Sequence, residues 1–266
     1  MDKETLKKYL EEGLSNRQIA KITNKGKSTV GYWVNKHGLN EYLKYNKPEY
    51  SDINYFSKID TKEKAYILGM LLGDSCLTNS VMRISISLKD TEILQFIKSE
   101  INCNIRNSYT LDKKRKIFPN TTISIGNKAI INDLKKLFGG NLKENRHIPI
   151  IPQKFERYLL QGFFDAEGCV TWGKRKDRDR VWQKISFTSQ YKMLEGIQNI
   201  LYKNGIPTKL KPKSDNSNCF VIEFSNKKTV LEFLDIIYPD DDFIVLKRKY
   251  EKAQALRLEL GEFGES

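Results

Sequence analysis

One apolar segment occurs twice in this chain. Ala65 to Leu77 reads AYILGMLLGDSCL, and Arg157 to Val170 reads RYLLQGFFDAEGCV. Aligned on their acids, Asp74 meets Glu167, Gly69 meets Gly162, Gly73 meets Ala166 and Cys76 meets Cys169, all at an offset of 93 residues. A chain with such an internal repeat is built from related units, which narrows the available folds before any other residue is weighed.

Gly69 and Gly73 share one helix face, as do Gly162 and Ala166, because residues i and i+4 are neighbours on a helix. Each segment therefore reads as a helix with a small-residue stripe. Two such stripes let helix axes approach more closely than the usual ~8–10 Å. Asp74 and Glu167 then converge at one end of the pair. There each acid opposes the helix macrodipole, at ~0.3–1 kcal/mol. A single acid of this kind reads as the end of a core helix, whereas two in equivalent places ask for a compensating positive group such as a metal ion. Paired carboxylates are reconciled by a shared proton or by divalent cations. Hard oxygen ligands suit magnesium, and paired magnesium ions serve in-line attack on phosphodiesters.

Ile67 to Ser75 (ILGMLLGDS) and Leu160 to Gly168 (LQGFFDAEG) resemble the two motifs of the LAGLIDADG homing endonucleases of the single-chain, two-repeat kind. The resemblance spans about residues 62 to 255. It implies an α+β fold of two pseudo-symmetric αββαββα repeats, packed through their motif helices, each with an antiparallel sheet that binds double-stranded DNA. The implied activity is a site-specific, metal-dependent double-strand break with short 3′ overhangs. Carried over by position, Asp74 and Glu167 are metal ligands and catalytic residues, with the carbonyls of Gly73 and Ala166 as further ligands. Magnesium is the implied cofactor, with manganese able to substitute and calcium able to bind without supporting cleavage. The first motif departs from the family pattern at Leu72 and Ser75, neither of them the metal-binding position. The family places basic or polar groups near the end of each second strand, which nominates Lys89 and Gln190, and near the start of the final helix, which nominates Lys247. For the first-repeat counterpart of Lys247, Lys143 and Lys154 both remain open. For each lysine, a surface or phosphate-clamping role stands beside the catalytic one. Glutamine at 190 points to an asymmetric site.

Lysine and arginine number 46 against 33 acids, a net charge of +13. That balance suits a polyanionic partner, although a lysine-rich solvated surface gives the same number. No apolar run reaches ~18 residues and no export signal is apparent, so the expectation is a cytoplasmic protein with no membrane partner. Four cysteines without a CxxC pair, and two histidines, His37 and His147, make a zinc site improbable and fit a reducing compartment. Cys76 and Cys169 read as small packing residues rather than nucleophiles.

The expected organisation is a helical DNA-binding unit over residues 1–40, a linker over 41–61 able to lie along DNA, a first repeat over 62–152 and a second over 153–266. In the first unit Leu6, Tyr9 and Leu10 mark one helix, Ser15 caps a second carrying Ile19 and Ala20, and Ser28 begins a third with Val30, Trp33 and Val34 that stops at Gly38. The pattern resembles a helix-turn-helix. A generic three-helix interaction module gives the same string. As a reader helix, the third would present Lys27, Ser28, Thr29 and Tyr32 to bases, with Lys25 and Lys36 for phosphates.

Within the repeats, Val81 to Lys89 alternates so that Met82, Ile84, Ile86 and Leu88 face a core and Arg83, Ser85, Ser87 and Lys89 an open face. Lys184, Ser186, Thr188 and Gln190 repeat the arrangement opposite Ile185 and Phe187. Lys209, Lys211 and Lys213 alternate on another strand, Thr208 to Lys213. Basic or turn-forming hairpin ends are expected at 112–116 and 215–218. A strand of eight residues is ~26 Å long, so two sheets end to end track roughly twenty base pairs. The leading reading is a monomeric homing endonuclease of a mobile genetic element such as an intron. A binding protein on the same scaffold is the alternative, either an intron maturase acting on RNA or a transcription regulator, and a structural scaffold is a third. The two acids discriminate, since a protein kept only for binding has no use for carboxylates facing phosphates.

Overall fold

In a computed structural model, the structure describes residues 1–12, 14–42, 50–111, 117–140, 145–174, 181–214, 218–239 and 243–262. The chain forms two compact units, Met1–Glu49 and Tyr50–Ser266.

The smaller unit holds α1 (Lys3–Glu11), α2 (Asn16–Ile22) and α3 (Lys27–Lys36), followed by a single helical turn at Asn40–Tyr42. Ser15 and Gln18 form a reciprocal capping box at the start of α2. Asn24 is left-handed and closes α2, with Lys25 N–H donating to Ala20 O. Gly38, at φ 69°, closes α3, with Leu39 N–H donating to Val34 O and Gly38 N–H to Asn35 O. Leu6, Leu10, Ile19, Val30, Val34 and Leu39 fill a core of its own. The third helix begins one residue before Ser28, at Lys27, with Gly26 as its N-cap.

The larger unit repeats one plan. The first repeat runs α4 (Lys62–Asp74), β1 (Ser75–Leu77), β2 (Met82–Ser87), α5 (Thr91–Ile101), β3 (Asn104–Leu111), β4 (Ile117–Ile125) and α6 (Lys128–Phe138). The second runs α7 (Gln153–Glu167), β5 (Gly168–Lys174), β6 (Val181–Ser189), α8 (Tyr191–Lys203), β7 (Leu210–Pro212), β8 (Phe220–Phe224) and α9 (Lys227–Ile237), and α10 (Lys247–Glu262) is the last helix among the described residues. Each repeat makes a four-stranded antiparallel sheet of the same order, β1-β2-β4-β3 and β5-β6-β8-β7. Met82, Ile84, Ile123 and Ile125 of one sheet, and Val170, Ile185, Phe187 and Ile222 of the other, turn into a shared core covered by the helices. The opposite faces stay open, as expected for antiparallel sheets covered on one side.

Three expectations change. The strand expected to Lys89 ends at Ser87, where the chain turns into a short 3-10 helix over Leu88–Asp90; Ile86 is half-buried and Leu88 exposed. Residues 50–61 are not a free linker, because Tyr55, Phe56 and Ile59 are buried in the larger unit. The strand expected over Thr208–Lys213 keeps only Leu210–Pro212 in register with β8. The expected hairpin end at 112–116, most of the one at 215–218 and the candidate Lys143 lie outside the described residues.

Candidate active site

α4 and α7 pack backbone to backbone. A Cβ placed on Gly69 would overlap Leu159 O and come within 2.7 Å of Phe163 N; one on Gly162 would overlap Tyr66 O. Only glycine permits this approach at either position. One turn further on, a Cβ on Gly73 would lie 2.5 Å from Ala166 Cβ and 3.0 Å from Glu167 Cγ. The acid-bearing ends of the two helices are thus in contact. Asp74 is exposed and Glu167 half-exposed, each the last residue of its helix and each followed at once by a strand.

Two basic side chains stand against the C-terminal carbonyls of these helices. Lys249 Nζ, on α10, donates to Phe164 O at 2.7 Å and Asp165 O at 2.8 Å. Arg146, 2% exposed, donates from Nη1 to Leu72 O at 3.2 Å and lies over the Phe138 ring. Asp165 and Leu72 are repeat-equivalent, so the two cations occupy matching places. Each sits where a helix macrodipole favours positive charge. The compensating positive charge expected beside the acids is therefore supplied in part by the chain itself. Burial holds the Lys249 pKa down at about 8, the nearby Asp165 and Asp74 opposing that fall. Burial also lowers the Arg146 guanidinium pKa, against the pull of Cys76. Arg146 Nε has no hydrogen-bond partner among the described residues.

The sequence points to neither residue: for the second repeat it nominates Lys247, whose side chain is 70% exposed and lies 4.0 Å from Glu251. Lys247 lines a 540 Å³ cavity with Lys62 and Glu63 of the first turn of α4, about 18 Å along the helix from Asp74 at 1.5 Å per residue. Position 249, two residues on, lies on the other side of a helix that turns 100° per residue. Lys154, in the first turn of α7, is likewise remote from Glu167 and stacks near Phe155.

The strand registers revise one further pairing. Ser75 faces Ile84, nine residues on, whereas Gly168 faces Phe187, nineteen on, so the second hairpin is ten residues longer. Counted through these partners, Arg83 matches Ser186, Ser85 matches Thr188, and Ser87, not Lys89, matches Gln190. Lys89 is exposed in the 3-10 turn, its N–H bonded to Ser87 Oγ. Gln190 is the N-cap of α8 and makes no side-chain cap bond.

The open faces carry the remaining candidates. Arg83, Ser85 and Ser87 are exposed, with Ser85 Oγ 2.6 Å from Thr122 Oγ1. Lys184 and Lys211 share Glu223, at 3.6 and 2.9 Å, and the two lysines lower the Glu223 pKa. Ser186 and Thr188 are half-exposed beside them, and Lys209 and Lys213 flank β7 in solvent. Cys76 and Cys169 are exposed beside the acids, not packed as the sequence reading expected. In the smaller unit Lys25, Lys27, Ser28, Thr29, Tyr32 and Lys36 are all exposed, and Lys36 Nζ lies over the Tyr32 and Trp33 rings at 5.6 and 4.8 Å.

Residues 154–238 match the LAGLIDADG-like domain family. The chain is 34% identical over 92 residues to the uncharacterized protein MJ1098 of Methanocaldococcus jannaschii, a match covering 34% of each chain. It is 28% identical over 152 residues to the probable translation initiation factor IF-2 of the same organism, over 54% of this chain and 12% of that one. The matched segments thus span no more than about a third of these relatives. Among solved structures it resembles the homing endonuclease I-WcaI bound to its DNA recognition sequence, with TM-score 0.53, 16% identity and coverage of 78% of this chain and 95% of that one. It also resembles the LAGLIDADG meganuclease I-AabMI bound to uncleaved DNA, with TM-score 0.52, 15% identity and coverage of 74% and 89%. No helix among the described residues is long and apolar enough to cross a membrane.

Proposed function

From a chain with the two-repeat LAGLIDADG fold, we propose a monomeric, site-specific DNA endonuclease of the homing type that makes a metal-dependent double-strand break with short 3′ overhangs. The observation that carries this reading is the contact between two acid-bearing helix ends, each with a basic side chain on its last carbonyls. A purely binding scaffold has no need of that arrangement.

Asp74 and Glu167, with the carbonyls of Gly73 and Ala166, offer hard oxygen donors only, a set that fits magnesium with several retained waters. Bound there, magnesium supplies Lewis-acid stabilisation of the scissile phosphate and a water of lowered pKa. The chain's own contribution is positional. The glycine contact fixes the spacing of the carboxylates, and Lys249 and Arg146 add positive potential beside them. The open sheet faces hold the duplex: Lys184, Lys209, Lys211, Lys213 and Arg83 contact phosphates or base edges, and Ser85, Ser87, Ser186 and Thr188 hydrogen-bond within the groove. Lys89 and Gln190 lie at the ends of these faces as further contacts. The three-helix unit extends the recognised site as a helix-turn-helix, with Lys27, Ser28, Thr29 and Tyr32 towards bases and Lys25 towards phosphate. Lys36, stacked on two aromatic rings, belongs to the framework of that helix as much as to the contact.

The test is cleavage of a plasmid carrying the sequence that flanks the gene's own locus, joined as if the gene were absent. Linear product in magnesium, none in calcium and none with Asp74→Asn is the expected result. Tight, salt-sensitive binding without a cut would instead move the assignment to a DNA-binding regulator or an intron-RNA maturase, and the transcript would be assayed next.

A further inference from the structure

Asp165 is a buried carboxylate at the contact of α4 and α7 that the cleavage scheme leaves without a task. It lies two residues before Glu167, is 1% exposed, and accepts from three separate elements. Tyr66 Oη, on α4, donates to Oδ2 at 2.8 Å. Tyr238 Oη, just after α9, donates to Oδ1. Leu246 N–H, immediately before α10, donates to Oδ2 at 3.1 Å. Gln161, one turn earlier on α7, binds the same incoming segment through Ile244 O at 2.9 Å. The chain between α9 and α10 is therefore pinned to α7 at Ile244 and Leu246. Three residues beyond Leu246, Lys249 meets the carbonyls of Phe164 and Asp165. Arg248 reaches across to buried Asp90 of the first repeat at 2.8 Å.

Resting on the nuclease reading above, we infer that Asp165 is a positioning residue that holds Lys249 at the acid-bearing end of α7, so that the two half-sites are set by different devices. In the first half-site Leu72 stands at the position equivalent to Asp165, so Arg146 reaches Leu72 O without a carboxylate at that place. A buried carboxylate is costly unless it is fully bonded, and three donors from three elements supply that bonding. An apolar residue would serve the packing here, as Leu72 does in the first motif. What Asp165 adds is a fixed start for α10, which sets where position 249 points.

The experiment combines Asp165→Asn, Tyr238→Phe, Lys249→Met and the double variant Asp165→Asn/Lys249→Met in the full-length protein. In single-turnover nicking with each strand labelled, Asp165→Asn is expected to slow one nick ~10-fold relative to the other, while the Kd for DNA in calcium moves less than ~2-fold. Lys249→Met slows the same strand, and the double variant adds nothing to it. Tyr238→Phe, which retains two of the three bonds, gives a smaller bias with the same sign. Equal slowing of both strands, or a loss of binding that follows the loss of melting temperature, overturns the inference and leaves Asp165 a packing residue. Competitive reductive methylation of lysines, read by mass spectrometry, needs no cleavage. Lys249 should be protected in the parent chain and several-fold more reactive in Asp165→Asn, with exposed Lys247 unchanged. If the parent chain nicks neither strand, the endonuclease reading fails, and unchanged Lys249 protection in Asp165→Asn still overturns the positioning on its own.

Discussion

The two repeats share their topology and differ in how each finishes the acid-bearing end of its central helix. The first ends α4 with Leu72-Gly73-Asp74, backs it with the buried Arg146, and follows it with a short hairpin. The second ends α7 with Asp165-Ala166-Glu167, backs it with Lys249 held from α10, and extends its hairpin by ten residues, with Trp182 44% exposed on the open face. Identical backbone plans thus reach the same local result, a cation on the helix C-terminus, by two routes. What the two ends have in common is the charge at that place rather than one residue type, and on the proposed nuclease reading the unequal routes make unequal half-sites.

The largest effect should come from the glycines that make the repeats a pair. Gly69→Leu or Gly162→Leu drives a side chain into peptide backbone, and a loss above ~4 kcal/mol, enough to abolish a cooperative thermal transition, is expected. An unaltered melting curve would break the helix-pair account for that repeat. Next come the acids: Asp74→Asn and Glu167→Gln should each remove double-strand cleavage while calcium-supported binding remains. A variant that still nicks one strand would show the half-sites to be separable. Third, Arg146→Met and Lys249→Met should bias nicking towards opposite strands, which strand-labelled kinetics would read; the same bias from both would erase the distinction.

A fourth expectation concerns pH. Lys249 titrates near 8 in the fold against an ordinary 10.5. The folded chain therefore bears the full penalty of burying that charge below about pH 8 and is relieved of it as pH rises towards 10.5. Folding stability should gain up to the order of 3 kcal/mol across that window. Cleavage should fall over the same range as the charge is lost. Denaturant melts at several pH values would lose this gain in Lys249→Met but keep it in Arg146→Met. The smallest effect belongs to the open face: Glu223→Gln releases Lys184 and Lys211 and should tighten DNA binding by a few-fold at most, with a steeper salt dependence, consistent with the small worth of exposed ion pairs.

Much of this was legible in the sequence because it rests on spacing. The glycine and alanine positions four apart, the matching acids and the three helices of the smaller unit all follow from spacing, periodicity and caps. The residues that were missed depend on contacts far apart in the chain. Lys249 is chosen over Lys247 by the rotation of α10, which Asp165 and Gln161 set from more than eighty residues away. Arg146 carries no local signal, since nothing in its neighbourhood says that it will be buried against Leu72 O. The extra length of the second hairpin is visible only once Gly168 is seen opposite Phe187. Exposure of Cys76 and Cys169 follows from the strands that start directly after the acids, where alternation turns the second residue outward.

The backbone contact at Gly69 and Gly162 works as a ruler. Because peptide groups rather than side chains separate the two acids, no gradual exchange of one apolar residue for another can stretch or shrink that interval. Sheet residues such as Arg83, Ser186 and Lys211 stand outside it and are free to drift. On the proposed nuclease reading, a lineage of such chains can therefore change the address it reads on DNA while the offset between its two cuts stays constant.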